Sequence, residues 1–243
     1  MHRFFVPSAS IQSSQVVFPS ETAHQIFSVL RLRSGQRLVV LDNRGDEYTV
    51  ELEKISQRAV AGKIIEQKPA QGEPACRLAL YLCLAQREKF EWMLQKCTET
   101  GASTFIPVIS SRSLVQDLAE TNKKTTRWEK ILQEAAEQSG RGLIPALKPT
   151  ISLAQGLRQS QGKRIILWEQ ESSTSLRQAL SNLSPDHLPE ISMLVGPEGG
   201  FSVEEVHLAV QADWQPVSLG RRILRMETAA VVATALVIYE LEK

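Results

Sequence analysis

The chain has 243 residues, of which 42% are hydrophobic, and its 28 lysines and arginines nearly balance its 27 aspartates and glutamates. This length is enough for one large domain or two smaller ones, and the net charge of +1 excludes a chain that is basic over its whole surface. Any nucleic-acid contact must therefore come from a local patch of charge.

The first part of the chain is rich in β-forming residues. One helical face is predicted early, formed by Ala23, Ile26, Phe27 and Leu30. Three β-rich segments follow, "QRLVVLD", "EYTVELEKI" and "AVAGKII", and turn residues separate them. The next stretch, "EQKPAQGEPA", is rich in proline, glycine and charge, which is typical of a linker. We therefore expect a small β-rich domain over residues 1–72.

The second part of the chain alternates predicted strands with predicted helices. The strands are "RLALYLCLA", "TFIPVI", "KRIILWEQ", "EISMLVG" and "WQPVSLG". Two helical faces lie among them, formed by Phe90, Met93, Leu94 and Cys97 and by Trp128, Ile131, Leu132 and Ala135. Such alternation predicts an α/β domain over residues 73–243, with a mostly parallel sheet covered by helices.

A glycine-rich loop, "LVGPEGGFS", follows the fourth of these strands. Loops at the carboxyl ends of parallel strands commonly bind ligands, but this one matches neither GxGxxG nor the GxxxxGK[ST] phosphate loop. Ser202 and Glu205 form a capping box, and Glu204 adds a carboxylate to the same first turn. Because these acids occupy the positive end of the helix, we expect a ligand without phosphates.

A second unusual stretch, "LGRRILRMETAA", carries three arginines, Arg221, Arg222 and Arg225. They precede Glu227 and Thr228, which open an alanine-rich helix. The arginines could bind RNA phosphates, or the stretch could be a solvated turn with helix-capping residues. The residues alone leave both alternatives open.

The cysteines and the chain ends suggest a cytoplasmic protein. Cys76, Cys83 and Cys97 lack metal-ligand spacing, so we expect reduced thiols and no metal site. The N-terminal residues carry no long apolar stretch of the kind found in signal peptides. The apolar run Ala229–Tyr239 is shorter than the ~20 residues that a bilayer requires and is expected to form a buried helix.

The two loops together resemble the signature of the SPOUT methyltransferases and, within them, the 16S ribosomal RNA uracil-N3 methyltransferase family. The resemblance extends to "HQIFSVLRLRSGQ", "FEWMLQKCTETGAS", "PVISSRS" and "RWEKILQEAAEQSGRGLIP", so it spans nearly the whole chain. It implies a PUA-like β-barrel that binds RNA over residues 1–72. It also implies a SPOUT methyltransferase domain with a deep trefoil knot over residues 73–243.

The resemblance further implies that S-adenosylmethionine binds at the two loops. The expected cofactor-binding residues are Leu167, Glu169, Leu194, Val195, Gly196, Pro197, Gly199, Gly200, Leu219, Gly220, Ile223, Leu224, Arg225, Thr228 and Ala229. Glycines there would let the backbone approach the cofactor closely.

Catalysis needs a group that helps remove the proton from uridine N3. Arg225 is the first candidate, as a cation that stabilises the developing negative charge or fixes a neighbouring phosphate. Glu198 and Glu227 are candidate bases or cofactor-orienting groups, although either could instead cap backbone amides. Candidate RNA contacts are Arg3, Arg31, Arg33, Arg112, Arg141, Arg221 and Arg222.

The expected partner is 16S ribosomal RNA within the 30S subunit, with a 3-methyluridine in the decoding region as product. A homodimer is also expected from the resemblance, and no membrane contact is expected because the apolar C-terminal run is too short. Two alternatives remain: a non-catalytic RNA-binding or ribosome-assembly protein that retains the fold, and a nucleotide-binding α/β enzyme. Intact glycines in both loops disfavour the first, and the lack of a phosphate loop disfavours the second.

Overall fold

The computed structural model describes residues 1–57, 59–116, 121, 123–183 and 188–242. The chain divides into two compact units. The first unit contains Met1–Glu73 and Ala136–Ile144, and the second contains Pro74–Ala135 and Pro145–Lys243. Each unit has its own sheet.

The first unit is built on a sheet that has five strands within the described residues, in the order β1-β3-β4-β5-β2. The strands are β1 (Arg3–Phe5), β2 (Gln15–Val17), β3 (Arg37–Leu41), β4 (Asp46–Ile55) and β5 (Val60–Pro69). β1 runs parallel to β3, and the other pairs are antiparallel. Helix α1 (Ser20–His24) continues into a π-helical turn over Gln25–Val29.

Alternating apolar residues of these strands form the core of the first unit. Leu38, Val40, Val50, Leu52 and Val60 pack with Ala23 and Ile26 of the helical segment, and Leu30 packs against this cluster. The predicted helical face is wrong at Phe27, which is 39% exposed. The predicted linker over residues 66–75 is wrong in its first half, because β5 continues through residue 69 and pairs with β4 as far as Asp46. The side chains there are exposed, and β2 pairs with β5 only at residues 61–63, so a polar composition is compatible with this part of the strand.

The second unit carries the predicted parallel sheet, in the order β12-β10-β11-β6-β7-β8, with β9 also paired to β7. Its strands are β6 (Arg77–Cys83), β7 (Thr104–Ile109), β8 (Ala146–Leu147), β9 (Ile151–Ser152), β10 (Lys163–Leu167), β11 (Glu190–Val195) and β12 (Gln215–Val217). All of these pairs are parallel. The α/β class is confirmed, and the trefoil knot stays a prediction.

The remaining helices are α2 (Arg87–Glu99), α3 (Thr125–Ser139), α4 (Leu153–Gln159), α5 (Leu176–Leu180), α6 (Val203–Gln211) and α7 (Met226–Leu241). The apolar face predicted for α2 is buried, and α7 packs against α2 and β11. The C-terminal apolar run lies in α7, which buries residues such as Ala233 and Val237. Across the described residues, no helix is both long enough and apolar enough to cross a membrane.

Candidate functional site

A cavity of about 390 Å³ opens in the second unit where three neighbouring parallel strands end. β12, β10 and β11 are adjacent in the sheet, and the segments that follow them line the cavity: 167–169 after β10, 195–201 after β11 and 217–226 after β12. Ala229 of α7 completes the wall. Carboxyl ends of parallel strands are common ligand sites, and this volume is in the range of small-molecule pockets.

The loop after β11 needs its glycines for separate reasons. The amide of Gly200 donates to the carbonyl of Pro197 at 2.9 Å, and this tight turn places Gly200 at a φ of 66°. A Cβ on Gly196 would lie 3.0 Å from the ring of Phe201, which is buried beneath the loop. The turn places Gly200 in the left-handed region that favours glycine, and a side chain at position 196 would press against the Phe201 ring.

Carboxylates surround this loop and the start of α6. Glu198 Oε1 accepts from the Gln86 amide at 3.3 Å and from Lys89 Nζ at 3.4 Å. The predicted capping box is confirmed, because the Ser202 hydroxyl accepts from the Glu205 amide and Glu205 Oε2 accepts from the Ser202 amide. Hydrogen bonds from its own backbone amide and from the Ser202 hydroxyl lower the pKa of Glu204. Negative charge at this helix end disfavours a phosphate ligand.

Hydrogen bonds fix the start of the loop after β12, and the middle of the loop is exposed. The Ser218 amide donates to the Thr174 carbonyl at 2.9 Å, and the Gly220 amide donates to the Ser218 hydroxyl at 3.2 Å. Gly220 has a φ of 112°, which favours glycine. The Ile223 side chain is 85% exposed although it lines the cavity, so a bound molecule could cover it.

Most of the predicted cofactor-binding residues meet at this cavity. Those that line it are Leu167, Glu169, Val195, Gly196, Pro197, Gly199, Gly200, Leu219, Gly220, Ile223, Leu224, Arg225 and Ala229. Leu194 does not line it because its side chain is buried in β11, and Thr228 lies exposed on α7. Cofactor contact by these two residues stays a prediction without support from the cavity.

Five further residues line the cavity that were not among the predicted cofactor-binding, catalytic or RNA-binding residues, namely Trp168, Phe201, Val217, Ser218 and Met226. Trp168 and Ser218 directly follow strands, so their positions at strand ends were the available signal. The indole N–H of Trp168 is buried, and no described group accepts a hydrogen bond from it. Phe201 and Met226 are buried beneath the loops, and a single sequence does not distinguish such residues from core.

Only two of the three predicted catalytic residues line the cavity. Arg225 and Glu198 line the cavity. Glu227 is absent from its lining, and its Oε2 is shielded from solvent without a hydrogen-bond partner among the described residues. Glu227 therefore does not cap α7 through its Oε2. Within the described residues, no group of histidine, cysteine, aspartate or glutamate side chains could hold a metal ion.

Two of the predicted RNA contacts of the second unit, Arg221 and Arg222, are exposed on the cavity-lining loop. Arg112 is also exposed, and its Nη1 donates to the Gly199 carbonyl at 2.9 Å. Arg112 therefore already has a partner in the glycine loop.

The predicted RNA contacts of the first unit have different surroundings. Arg31 and Arg33 are exposed, whereas Arg3 forms an ion pair with Glu47 at 2.8 Å. The prediction for Arg141 is corrected: its side chain is 3% exposed, and Nη2 lies 2.7 Å from a carboxylate oxygen of Glu73. Arg141 lies between two glycines, a pattern typical of an exposed loop, but tertiary burial makes it an internal ion-pair partner.

Two family models match the chain. A model of the RNA methyltransferase domain matches residues 72–238, and a model of the RNA methyltransferase PUA domain matches residues 18–65. The first of them covers most of the second unit, including both cavity loops.

Individual proteins are similar to the chain over nearly its full length. The ribosomal RNA small subunit methyltransferase E of Bacillus subtilis is 33% identical, over 100% of this chain and 98% of the relative. A crystal structure of ribosomal RNA small subunit methyltransferase E from Neisseria gonorrhoeae bound to S-adenosyl methionine is 28% identical, with a TM-score of 0.88 over 99% of this chain and 98% of the other. A Legionella pneumophila methyltransferase structure with bound SAM is 29% identical, with a TM-score of 0.85 over 97% and 96% of the two chains.

Proposed function

Because the chain belongs to the ribosomal RNA small subunit methyltransferase E family, we propose that it transfers a methyl group from S-adenosylmethionine to N3 of a uridine in 16S ribosomal RNA. The observation that carries the proposal is the cavity at the ends of β12, β10 and β11, lined by both glycine-containing loops. The target nucleotide would lie in the decoding region of the 30S subunit, and the enzyme would act in the cytoplasm.

The residues of the cavity fit this cofactor. Leu219, Ile223 and Leu224 offer apolar surface suited to an adenine ring, while backbone groups of the glycine loop offer polar contacts. The buried indole N–H of Trp168 is a polar group still without a partner among the described residues. S-adenosylmethionine carries no phosphate, which agrees with the carboxylates at the start of α6.

The bound cofactor would supply an activated methyl group, so the chain must orient the uridine, exclude water and handle the N3 proton. Each pKa unit by which N3 lies above the working pH costs about 1.4 kcal/mol when the anion forms. A guanidinium at the cavity would offset part of this cost by stabilising the negative uracil. Arg225 lines the cavity at the junction of its loop and α7, which supports that role.

Of the two candidate bases, Glu198 fits the role better. It lines the cavity, and both contacts of its Oε1, from Gln86 and Lys89, hold the carboxylate in place. Glu227 lies outside the lining of the cavity, and its Oε2 is shielded from solvent. We therefore assign proton acceptance to Glu198.

RNA would be bound through phosphate contacts on both units. Arg221 and Arg222 lie beside the cavity, and Arg31 and Arg33 are exposed on the first unit, which the PUA domain model matches in part. For a homodimer, α7 offers Val232, Leu236 and Tyr239, which are 36%, 40% and 65% exposed. Apolar side chains exposed along one helix are suited to cover by a second copy.

The first experiment is calorimetric titration of S-adenosylmethionine and S-adenosylhomocysteine into the purified chain. It is followed by transfer of tritiated methyl to 30S subunits that lack 3-methyluridine, with mapping of the labelled base. Binding and transfer to a uridine would support the proposal, and transfer to another base would correct the position. Failure of both ligands to bind would favour a non-catalytic RNA-binding protein, and binding of ATP instead would favour a nucleotide-dependent enzyme.

The role of Arg225 is tested in the same assay. Arg225→Ala should lower the rate of methyl transfer at least about tenfold while cofactor affinity stays within a few-fold, as expected for a group that acts in the transition state. Arg158→Ala, an exposed arginine on α4, is the matched control. Equal rates for the Arg225 variant and the unchanged chain would remove Arg225 from the catalytic residues.

A further inference from the structure

A hydrogen-bonded turn over residues 110–116, here called the serine turn, follows β7 in the second unit. The amide and hydroxyl of Ser110 lie 3.1 and 3.0 Å from the Ser113 hydroxyl. Gln116 Nε2 donates to the carbonyls of both serines, at 3.0 and 2.8 Å. Ser110 and Ser113 are buried, so the turn has a defined shape of its own.

The serine turn contacts both the start of α6 and the glycine loop. The Ser111 amide donates to Glu205 Oε1 at 2.8 Å, and Glu205 also accepts from the Ser202 amide in the capping box. At the other end, Arg112 Nη1 donates to the Gly199 carbonyl at 2.9 Å. The Cβ and Cδ of Arg112 lie 3.6 Å from the Cβ position of Gly199, so the aliphatic part of the side chain packs over that residue.

Both polar atoms of the peptide between Gly199 and Gly200 are therefore held. Its carbonyl oxygen accepts from Arg112, and its amide donates to the Pro197 carbonyl at 2.9 Å. A peptide between two glycines has many accessible backbone conformations, and this one must place Gly200 at a φ of 66°. A hydrogen bond from a charged donor selects one orientation more strongly than a bond from water would.

We propose that Arg112 is a positioning residue for the cofactor cavity, which it keeps in its binding conformation by fixing the Gly199 carbonyl. The inference rests on the proposed function, because it concerns the affinity of that cavity for S-adenosylmethionine. Without the arginine, the Gly199–Gly200 peptide would sample orientations in which the cavity does not bind the cofactor. The affinity for S-adenosylmethionine would then fall in proportion to the fraction of molecules that keep the binding conformation. The guanidinium acts through the loop and does not need to touch the reacting atoms.

This role differs from the phosphate contact expected from the sequence. A positioning arginine changes cofactor affinity when no RNA is present. A phosphate ligand changes RNA affinity and the dependence of that affinity on salt, and leaves cofactor affinity unchanged. Measurement in the absence of RNA therefore separates the two roles.

The test is calorimetric titration of S-adenosylmethionine, without RNA, into the unchanged full chain, Arg112→Ala, Arg112→Lys and the control Arg158→Ala. Arg112→Ala should raise Kd at least about fivefold, which matches the loss of one hydrogen bond to a charged group at an exposed position. Arg112→Lys, which keeps a cationic donor, should recover part of the affinity, and the control should bind as the unchanged chain does. In methyl transfer, KM for the cofactor should rise while kcat at saturating cofactor stays within about twofold.

The outcomes are distinguishable. Failure of the unchanged chain to bind would overturn the proposed function and this inference together. Binding by the unchanged chain with equal affinity in Arg112→Ala would overturn only the inference, and a weaker salt dependence of RNA binding in that variant would identify Arg112 as a phosphate ligand. If Arg112→Ala does not fold, Arg112→Met decides, because it keeps the aliphatic stem that packs over Gly199 and removes the donor to the Gly199 carbonyl. Equal Kd and KM for Arg112→Met and the unchanged chain would overturn the positioning role.

Discussion

The Cβ position of Gly200 lies 3.0 Å from a carboxylate oxygen of Glu169, and both residues line the same cavity. The glycine loop after β11 thus closely approaches the end of β10. Glu169 is exposed and its carboxylate is the end of a flexible side chain, so it could move aside for a methyl group. The backbone conformation of Gly200, with a φ of 66°, is the stronger reason for glycine at this position.

Gly200→Ala should therefore weaken S-adenosylmethionine binding about tenfold. The free loop of the variant would relax out of the left-handed conformation, and binding would have to restore it at a cost of about 1–2 kcal/mol. Gly199→Ala is the matched control. Its Cβ would lie 3.6 Å from the stem of Arg112, an ordinary contact, and Gly199 has no positive φ. Calorimetric affinities of the two variants check the prediction, and similar losses for both would contradict it.

Glu198→Gln and Glu227→Gln should differ in methyl transfer. We expect the first to lower the single-turnover rate about tenfold or more, because the amide cannot accept the N3 proton from within the cavity. The second should leave the rate within a few-fold, because Glu227 lies outside the lining. Rates at several pH values with saturating cofactor provide the measurement. The opposite order would assign proton acceptance to Glu227.

Alanine variants of Arg141 and Arg222 should have different effects: the first should lower stability, and the second should weaken RNA binding. Arg141→Ala should lower the free energy of unfolding by about 3 kcal/mol, because it leaves Glu73 without its buried cationic partner. Arg222→Ala, on an exposed loop, should leave stability unchanged, weaken RNA binding and reduce the slope of log affinity against log salt by about 1.

Urea unfolding and RNA titration at several salt concentrations test both arginine variants. A stable Arg141→Ala protein with weakened RNA binding would restore Arg141 as a phosphate contact. If the slope of log affinity against log salt is unchanged in Arg222→Ala, Arg222 is no longer a candidate RNA contact.

The cysteines should be unreactive in the native protein. Burial raises the pKa of the Cys76 thiol from 9.0 to about 11, and those of Cys83 and Cys97 to about 12. Because only the thiolate reacts, iodoacetamide at pH 8 should modify the three thiols slowly in the native chain and rapidly in urea, as measured by mass spectrometry. Rapid modification of Cys97 in the native chain would show that α2 opens readily.

The same pKa shifts determine whether stability rises or falls with pH. The folded pKa values lie above the unfolded value of 9.0, so this contribution to stability is fully present below pH 9 and is lost as pH rises toward the folded values. Urea unfolding should show that the free energy of unfolding declines between pH 8 and about 10.5. Cys97→Ala should make this decline with pH less steep. An equal slope in that variant would place the ionisation elsewhere.

Local patterns in the sequence predicted much of the secondary structure and both cavity loops. The strand "EISMLVG" is β11, and the capping box at Ser202 and Glu205 forms as predicted. These predictions hold because side-chain periodicity and capping depend on neighbours a few residues away. The linker prediction failed over Glu66–Pro69 because pairing with β4 overrides the turn preference of a polar segment.

By itself, the sequence determined the parallel α/β class, the positions of the two loops and the preference for a ligand without phosphates, all of which follow from periodicity, glycines and capping acids. Only the tertiary structure decided which charges face solvent. It buried Arg141 against Glu73, joined Arg112 to the Gly199 carbonyl and placed Glu198, but not Glu227, in the lining of the cavity. Each of these arrangements brings together residues that are far apart in the chain. A single sequence carries no local signal for such contacts, because they depend on how strands and loops pack together.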